Sequence, residues 1–115
     1  MYILKRVPIF LLLCLPFAST FAQEQDKEQS RLYMEQAEEI MKATKALNDA
    51  REIMITAANF DTTNIKANFN AGYIQILTIG RDLSVKYFLR VYRQAPNYRF
   101  DLEYWIGQGL SLIHI

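Results

Sequence analysis

Apolar and polar positions follow two regimes along the chain. At the N-terminus a cationic start, MYILKR, precedes VPIFLLLCLPF, a nearly unbroken apolar run of eleven residues. The small-residue stretch ASTFA and the wholly polar QEQDKEQ follow. From Ser30 onward apolar residues recur at the three-to-four spacing of helices: Ile40, Leu47, Ile53 and Ala57, then Ile74, Leu77, Leu83 and Val91. The pattern predicts helices over about 30–45, 48–60, 64–78 and 82–95, and another beginning near Asp101. FDTTN, IGRD and APNYRF separate them. Ser30, Asn48, Asn64 and Asp82 are the expected N-caps. Gly80 is expected to form the turn before Asp82, and Pro96 to close the helix before it. No stretch alternates as a strand, so the predicted class is all-α.

The N-terminal block has the parts of a secretory signal peptide: charged start, short apolar middle and small-residue exit. Eleven apolar residues are too few to span a bilayer as a helix, and Pro8 and Pro16 weigh against the alternative of an uncleaved anchor. Cys14 follows LLL rather than the small residues a lipoprotein site needs. Residues 1–22 are therefore expected to be removed, with 23–29 a polar lead. No transmembrane helix is expected after cleavage.

A second periodicity lies over the first. Ala50 and Ser84, Met54 and Phe88, Ala57 and Val91, and Thr62 and Pro96 are each 34 residues apart. Ala37 and Ala71 repeat that spacing, as do Ser30 and Asn64. Gly72 and Phe69 return at Gly107 and Tyr104 after 35 residues. Paired helices approach to about 8–10 Å only where some contact positions lack bulk. Ala50, Ala71, Gly72 and Ser84 suit that need, with Phe88 and Met54 filling the space beside them.

ANFNAGYIQI…RDLSVKYFLRVYRQAPN resembles a tetratricopeptide repeat, with the small residue–Gly pair, the later small residue, the aromatic four beyond it and the closing Pro in register. The resemblance covers 30–63 and 64–98, with a partial unit at 99–109. It implies a solenoid of antiparallel helix pairs. The first unit departs from it at Glu38, where Gly is expected, and at Thr62, where Pro is expected. More narrowly, the signal peptide followed by DAREIMITAANFDTTNIKANFNAGYIQILT and APNYRFDLEYWIGQGL resembles the N-terminal repeat region of large envelope proteins of Bacteroidetes-type bacteria. In that family a β-propeller-like region and an OmpA-type peptidoglycan-binding domain follow. The resemblance implies a periplasmic or outer-membrane location, a protein or peptide partner in the envelope, and contact with peptidoglycan through a domain not in this sequence.

The closing LSLIHI translates CTG-TCT-CTT-ATA-CAC-ATC, similar to the end of a transposase-based sequencing adapter. Residues 110–115 are expected to be read-through, with the natural frame continuing past Gly109. The alternative is a helix that simply stays apolar.

Composition removes several kinds of chemistry. Thirteen basic and twelve acidic residues leave a net charge of +1, which argues against a nucleic-acid-binding stripe. With Cys14 and His114 set aside, no Cys or His is left for nucleophilic triads or for thiolate and imidazole metal sites. No Gly-rich phosphate loop is present. No enzyme activity and no cofactor are expected. Glu35, Glu38 and Glu39 cluster, but as a solvated face balanced by Lys42 and Lys45. A partner groove is the sharper candidate: Phe69, Tyr73 and Tyr104 as an aromatic strip, with Lys66 and Asn70 beside it. The alternative, favoured for aromatics at helical spacing, is that they pack between neighbouring helices. Tyr87, Phe88 and Tyr92 read as core.

Overall fold

The structure, a computed structural model, describes residues 2–44, 46–78 and 80–113, with side-chain environments for 20–43, 46–78 and 80–111. Its elements are α1 (Tyr2–Thr44), α2 (Leu47–Phe60), α3 (Ile65–Leu77), a 3₁₀ turn (Arg81–Leu83), α4 (Ser84–Gln94) and α5 (Leu102–Ile113). Among the described residues there is no strand, and the chain is all-α as its periodicity predicts. No helix among them is long and apolar enough to cross a membrane.

Helix starts differ from the expected caps in instructive ways. Asn64 caps α3: its Oδ1 accepts from the Ala67 N–H at 3.0 Å. α2 instead starts after Ala46 with no side-chain cap, and Asn48 lies in its first turn, accepting from Arg51 at 3.1 Å. Asp82 sits inside the 3₁₀ turn that leads into α4. Ser30 is not a cap at all, because α1 runs unbroken through 23–29 and beyond. The polar lead is thus helical. Gln, Glu and Lys are good helix formers. Ion pairs at three- and four-residue spacing support them, Lys27 with Glu24 at 3.9 Å and Arg31 with Glu35 at 2.6 Å.

Each helix packs chiefly on its neighbours in sequence, with lesser contacts of α1 on α3 and α3 on α5. Small residues let the backbones close. Ala37, Ala50, Ala57, Ala58, Ala67 and Ala71 surround Met54 and Ile74 in one buried cluster. Phe69, Ile76, Phe88, Val91 and Leu102 form the other. Gly72 and Phe88 mate as expected: a Cβ on Gly72 would lie 2.9 Å from the Phe88 ring. Gly80 has φ −104°, so it is not there for a left-handed turn. A Cβ at that position would strike the buried Gln75 side chain.

Four further expectations need correction. Leu77 and Leu83 are 46% and 58% exposed, because α3 ends there and the 3₁₀ turn rotates Leu83 away from the core. Tyr92 is 40% exposed, unlike Tyr87 and Phe88, since it lies off the inward stripe of α4. Gly107 is no contact glycine: among the described residues nothing lies within 4 Å of its Cβ position. Gly109 takes that part instead, and a Cβ there would meet Ser84 Oγ and Val85 Cγ2 at 2.6 Å. α5 itself continues through Ile113. His114 lies outside the described residues.

Polar groups tie the helix pairs together where the pattern predicts only apolar contact. Ser30 is fully buried; its hydroxyl donates to the Ala57 carbonyl at 2.6 Å and accepts from Asn64 Nδ2 at 2.9 Å. Asn68, also fully buried, donates to the Asn64 carbonyl at 2.8 Å and accepts from Arg90 Nη1 at 3.1 Å. The same guanidinium reaches Asn59 Oδ1 at 2.9 Å, and Gln94 donates to the Thr62 carbonyl at 2.7 Å. α4 is thereby fastened to the turn between α2 and α3, with the buried amide satisfied on both sides.

Candidate functional site

The five residues of the predicted groove separate into three environments. Phe69 is only 2% exposed. It meets Phe88 edge-on at 5.4 Å, Tyr73 in a stack at 6.3 Å and Tyr98 at 5.7 Å. The Arg99 guanidinium lies 4.6 Å from its ring centroid. Phe69 is therefore interior, and only its neighbours are in a position to meet a partner. Lys66 is exposed but reaches across to Glu38 of α1 at 3.2 Å, tying α3 to α1. Tyr73 and Asn70 are half-buried on α3, and Tyr104 is 59% exposed on α5.

Trp105, which the 35-residue echo passes over by one position, joins these parts. Its ring meets Tyr73 edge-on at 5.2 Å and Tyr104 at 5.1 Å. The half-exposed strip is thus Tyr73–Trp105–Tyr104, spanning α3 and α5. The available signal is local: Asp101 lies one helical turn before Trp105. The indole N–H donates to Asp101 Oδ2 at 2.9 Å, and Arg99 donates to the same oxygen at 3.0 Å. Asp101 Oδ1 is buried with no partner among the described residues. Burial alone would raise the Asp101 pKa; the bond from Trp105 and the charge of Arg99 outweigh it and hold the carboxyl below its ordinary value.

The carboxylates of α1 do not converge on a common point. Glu35 pairs with Arg31, Glu38 with Lys66, and Glu39 is exposed. Among the described residues no group of three or more His, Cys, Asp or Glu could hold a metal ion. A polar hollow of about 330 Å³ lies between the 23–27 stretch of α1 and the turn after α2, lined by Asp26, Asn59, Asp61 and Thr63. Of its lining residues only Phe60 is apolar, short of the mostly apolar walls that hold small ligands. What remains is a surface suited to stacking and hydrogen bonding: an aromatic ridge with Asn70 on α3 and a cation, Arg99, that shares Asp101 with Trp105. Compared with known proteins, the chain matches no family model, no curated protein and no solved structure.

Proposed function

We propose that this chain is an exported, tetratricopeptide-like scaffold of the bacterial envelope that binds a protein or peptide partner along Tyr73–Trp105–Tyr104. One observation carries the reading: an aromatic ridge built across two helices that are not sequence neighbours, with Tyr104 59% exposed. A ridge of that kind suits an extended segment whose side chains stack while its backbone bonds to Asn70. The 34-residue recurrence and the order of helix contacts support stacked antiparallel pairs. The charged–apolar–small order of residues 1–22 supports export.

Selection of peptides from a display library tests the site. Tyr73→Ala with Tyr104→Ala weakens the selected peptides by about tenfold or more, as loss of aromatic anchors does, at unchanged helicity. Peptides that bind the double variant equally well would overturn it. Fusion to a reporter enzyme active only outside the cytoplasm tests export.

A second reading makes these helices a spacer for an OmpA-type, peptidoglycan-binding anchor. The interior position of Phe69 favours it, since it withdraws one predicted aromatic from the surface, and the exposed Lys66 is already engaged by Glu38. On that reading the selection returns no peptide specific to the ridge.

A further inference from the structure

The charges of this nearly neutral chain are sorted by helix. Residues 23–44 of α1 carry six acidic and three basic side chains, a net of −3. Residues 81–94, the 3₁₀ turn and α4, carry four basic and one acidic, a net of +3. On α1, Glu28, Leu32 and Glu35 are all exposed, at spacings of four and three that place them on one face. On α4, Lys86 and Arg93 are exposed with Leu89 half-buried between them, at spacings of three and four. Neither Lys86 nor Arg93 has a carboxylate partner among the described residues.

The two stripes are complementary in one antiparallel register. Glu28 then faces Arg93, Leu32 faces Leu89 and Glu35 faces Lys86. Each stripe spans about 10 Å at 1.5 Å rise per residue. The like charges that this register brings together are already engaged. Arg31 is held between Glu28 and Glu35, and Arg90 is turned inward onto Asn59 and Asn68. Beyond the stripe, Glu39 comes opposite Asp82, a like pair that the adjoining Arg81 offsets. Arg31 holds Glu28 through both carboxylate oxygens and Glu35 through one, all of them exposed, so Arg93 and Lys86 of the second copy share these carboxylates with Arg31.

We infer that the protein binds a second copy of itself, the outer face of α1 in one copy lying along the outer face of α4 in the next. Opposite poles on one chain, a matched leucine between each pair of charges and the absence of net repulsion favour a second copy over an unrelated acidic partner. The two surfaces differ, so the contact is heterologous and an unclosed pair leaves one stripe free at each end.

Sedimentation velocity on the full chain tests this. At low ionic strength the mass rises with concentration; in about 1 M salt, where the Debye length is about 3 Å, it falls to that of the monomer. Lys86→Glu with Arg93→Glu, and separately Glu28→Lys with Glu35→Lys, each weaken self-association by about tenfold or more with unchanged helical circular dichroism. An equimolar mixture of the two reversed variants associates again, because the unaltered α1 of the first meets the unaltered α4 of the second and the two reversed stripes are complementary as well. A monomer under all conditions overturns the proposal. So does association indifferent to the reversals, the result expected if the N-terminal apolar run were responsible. A monomer that sediments with anionic vesicles would assign the α4 stripe to a lipid surface and equally overturn it.

Discussion

Gly72 and Gly107 occupy comparable places on α3 and α5, each three residues after an aromatic. At Gly72 the Phe88 ring stands 2.9 Å from the absent Cβ; at Gly107 nothing among the described residues approaches within 4 Å. The difference shows what makes a small residue matter. Its value lies in the partner that fills the space, and the same letter with no partner is only a weak point in a helix. Near Gly72 the packing is sealed by Phe88 and fastened by Asn68 and Arg90. α5 instead rests on the close approach at Gly109 and on the Asp101–Trp105 bond.

The largest effect expected from this contrast is at the sealed side. Phe88→Ala leaves a cavity and costs about 3–5 kcal/mol in urea unfolding; Gly72→Ala, which pushes that ring from its place, costs about 1–3 kcal/mol. A loss below 1 kcal/mol in both would show that the contact is not tight. Asn68→Ala deprives Arg90 of one acceptor and the α2–α3 turn of its donor, and is expected to cost about 1–3 kcal/mol by the same measurement. Gly107→Ala should do the reverse: with no neighbour to displace, it stabilises by about 0.5–1 kcal/mol through helix propensity alone. Destabilisation there would mean that the open face is occupied. The smallest effect is local. The Asp101 carboxyl is depressed below its ordinary 3.8, so its contribution is complete above that pH and is lost as the pH falls through the lower folded value. Trp105 is the only tryptophan, and its fluorescence should hold steady to pH 3.8 and change below it. A midpoint above that pH would contradict the bond.

The helical class and the positions of α2, α3 and α4 were legible in apolar spacing, because local periodicity and tertiary contact agree there. Gly72 with Phe88 was legible for the same reason, since both lie in the unit with the fullest set of small and large positions. Caps were less so. Ser30 and Asn64 look alike as helix starts, yet the polar run before Ser30 is itself good helix, and its hydroxyl turns inward to Ala57. Asn68 and Asn70 flank Phe69 in the sequence with nothing to say which one is buried; only the arrival of Arg90 from α4 decides it. In α5 the 35-residue spacing marks Tyr104 and Gly107, whereas the contacts are made by Trp105 and Gly109. A residue inserted ahead of a helix rotates every later position by about 100°, and recurrence alone does not report that rotation.

Because each helix leans mainly on those just before and after it, little in this molecule waits for distant sequence. Proteins rich in such near-neighbour contacts fold quickly. A chain delivered end first, from a ribosome or through a narrow pore, meets here a vectorial order of assembly: α2 settles on α1, then Asn64 reaches the Ser30 hydroxyl, then α4 brings Arg90 to Asn68. Each lock closes with residues that have already emerged.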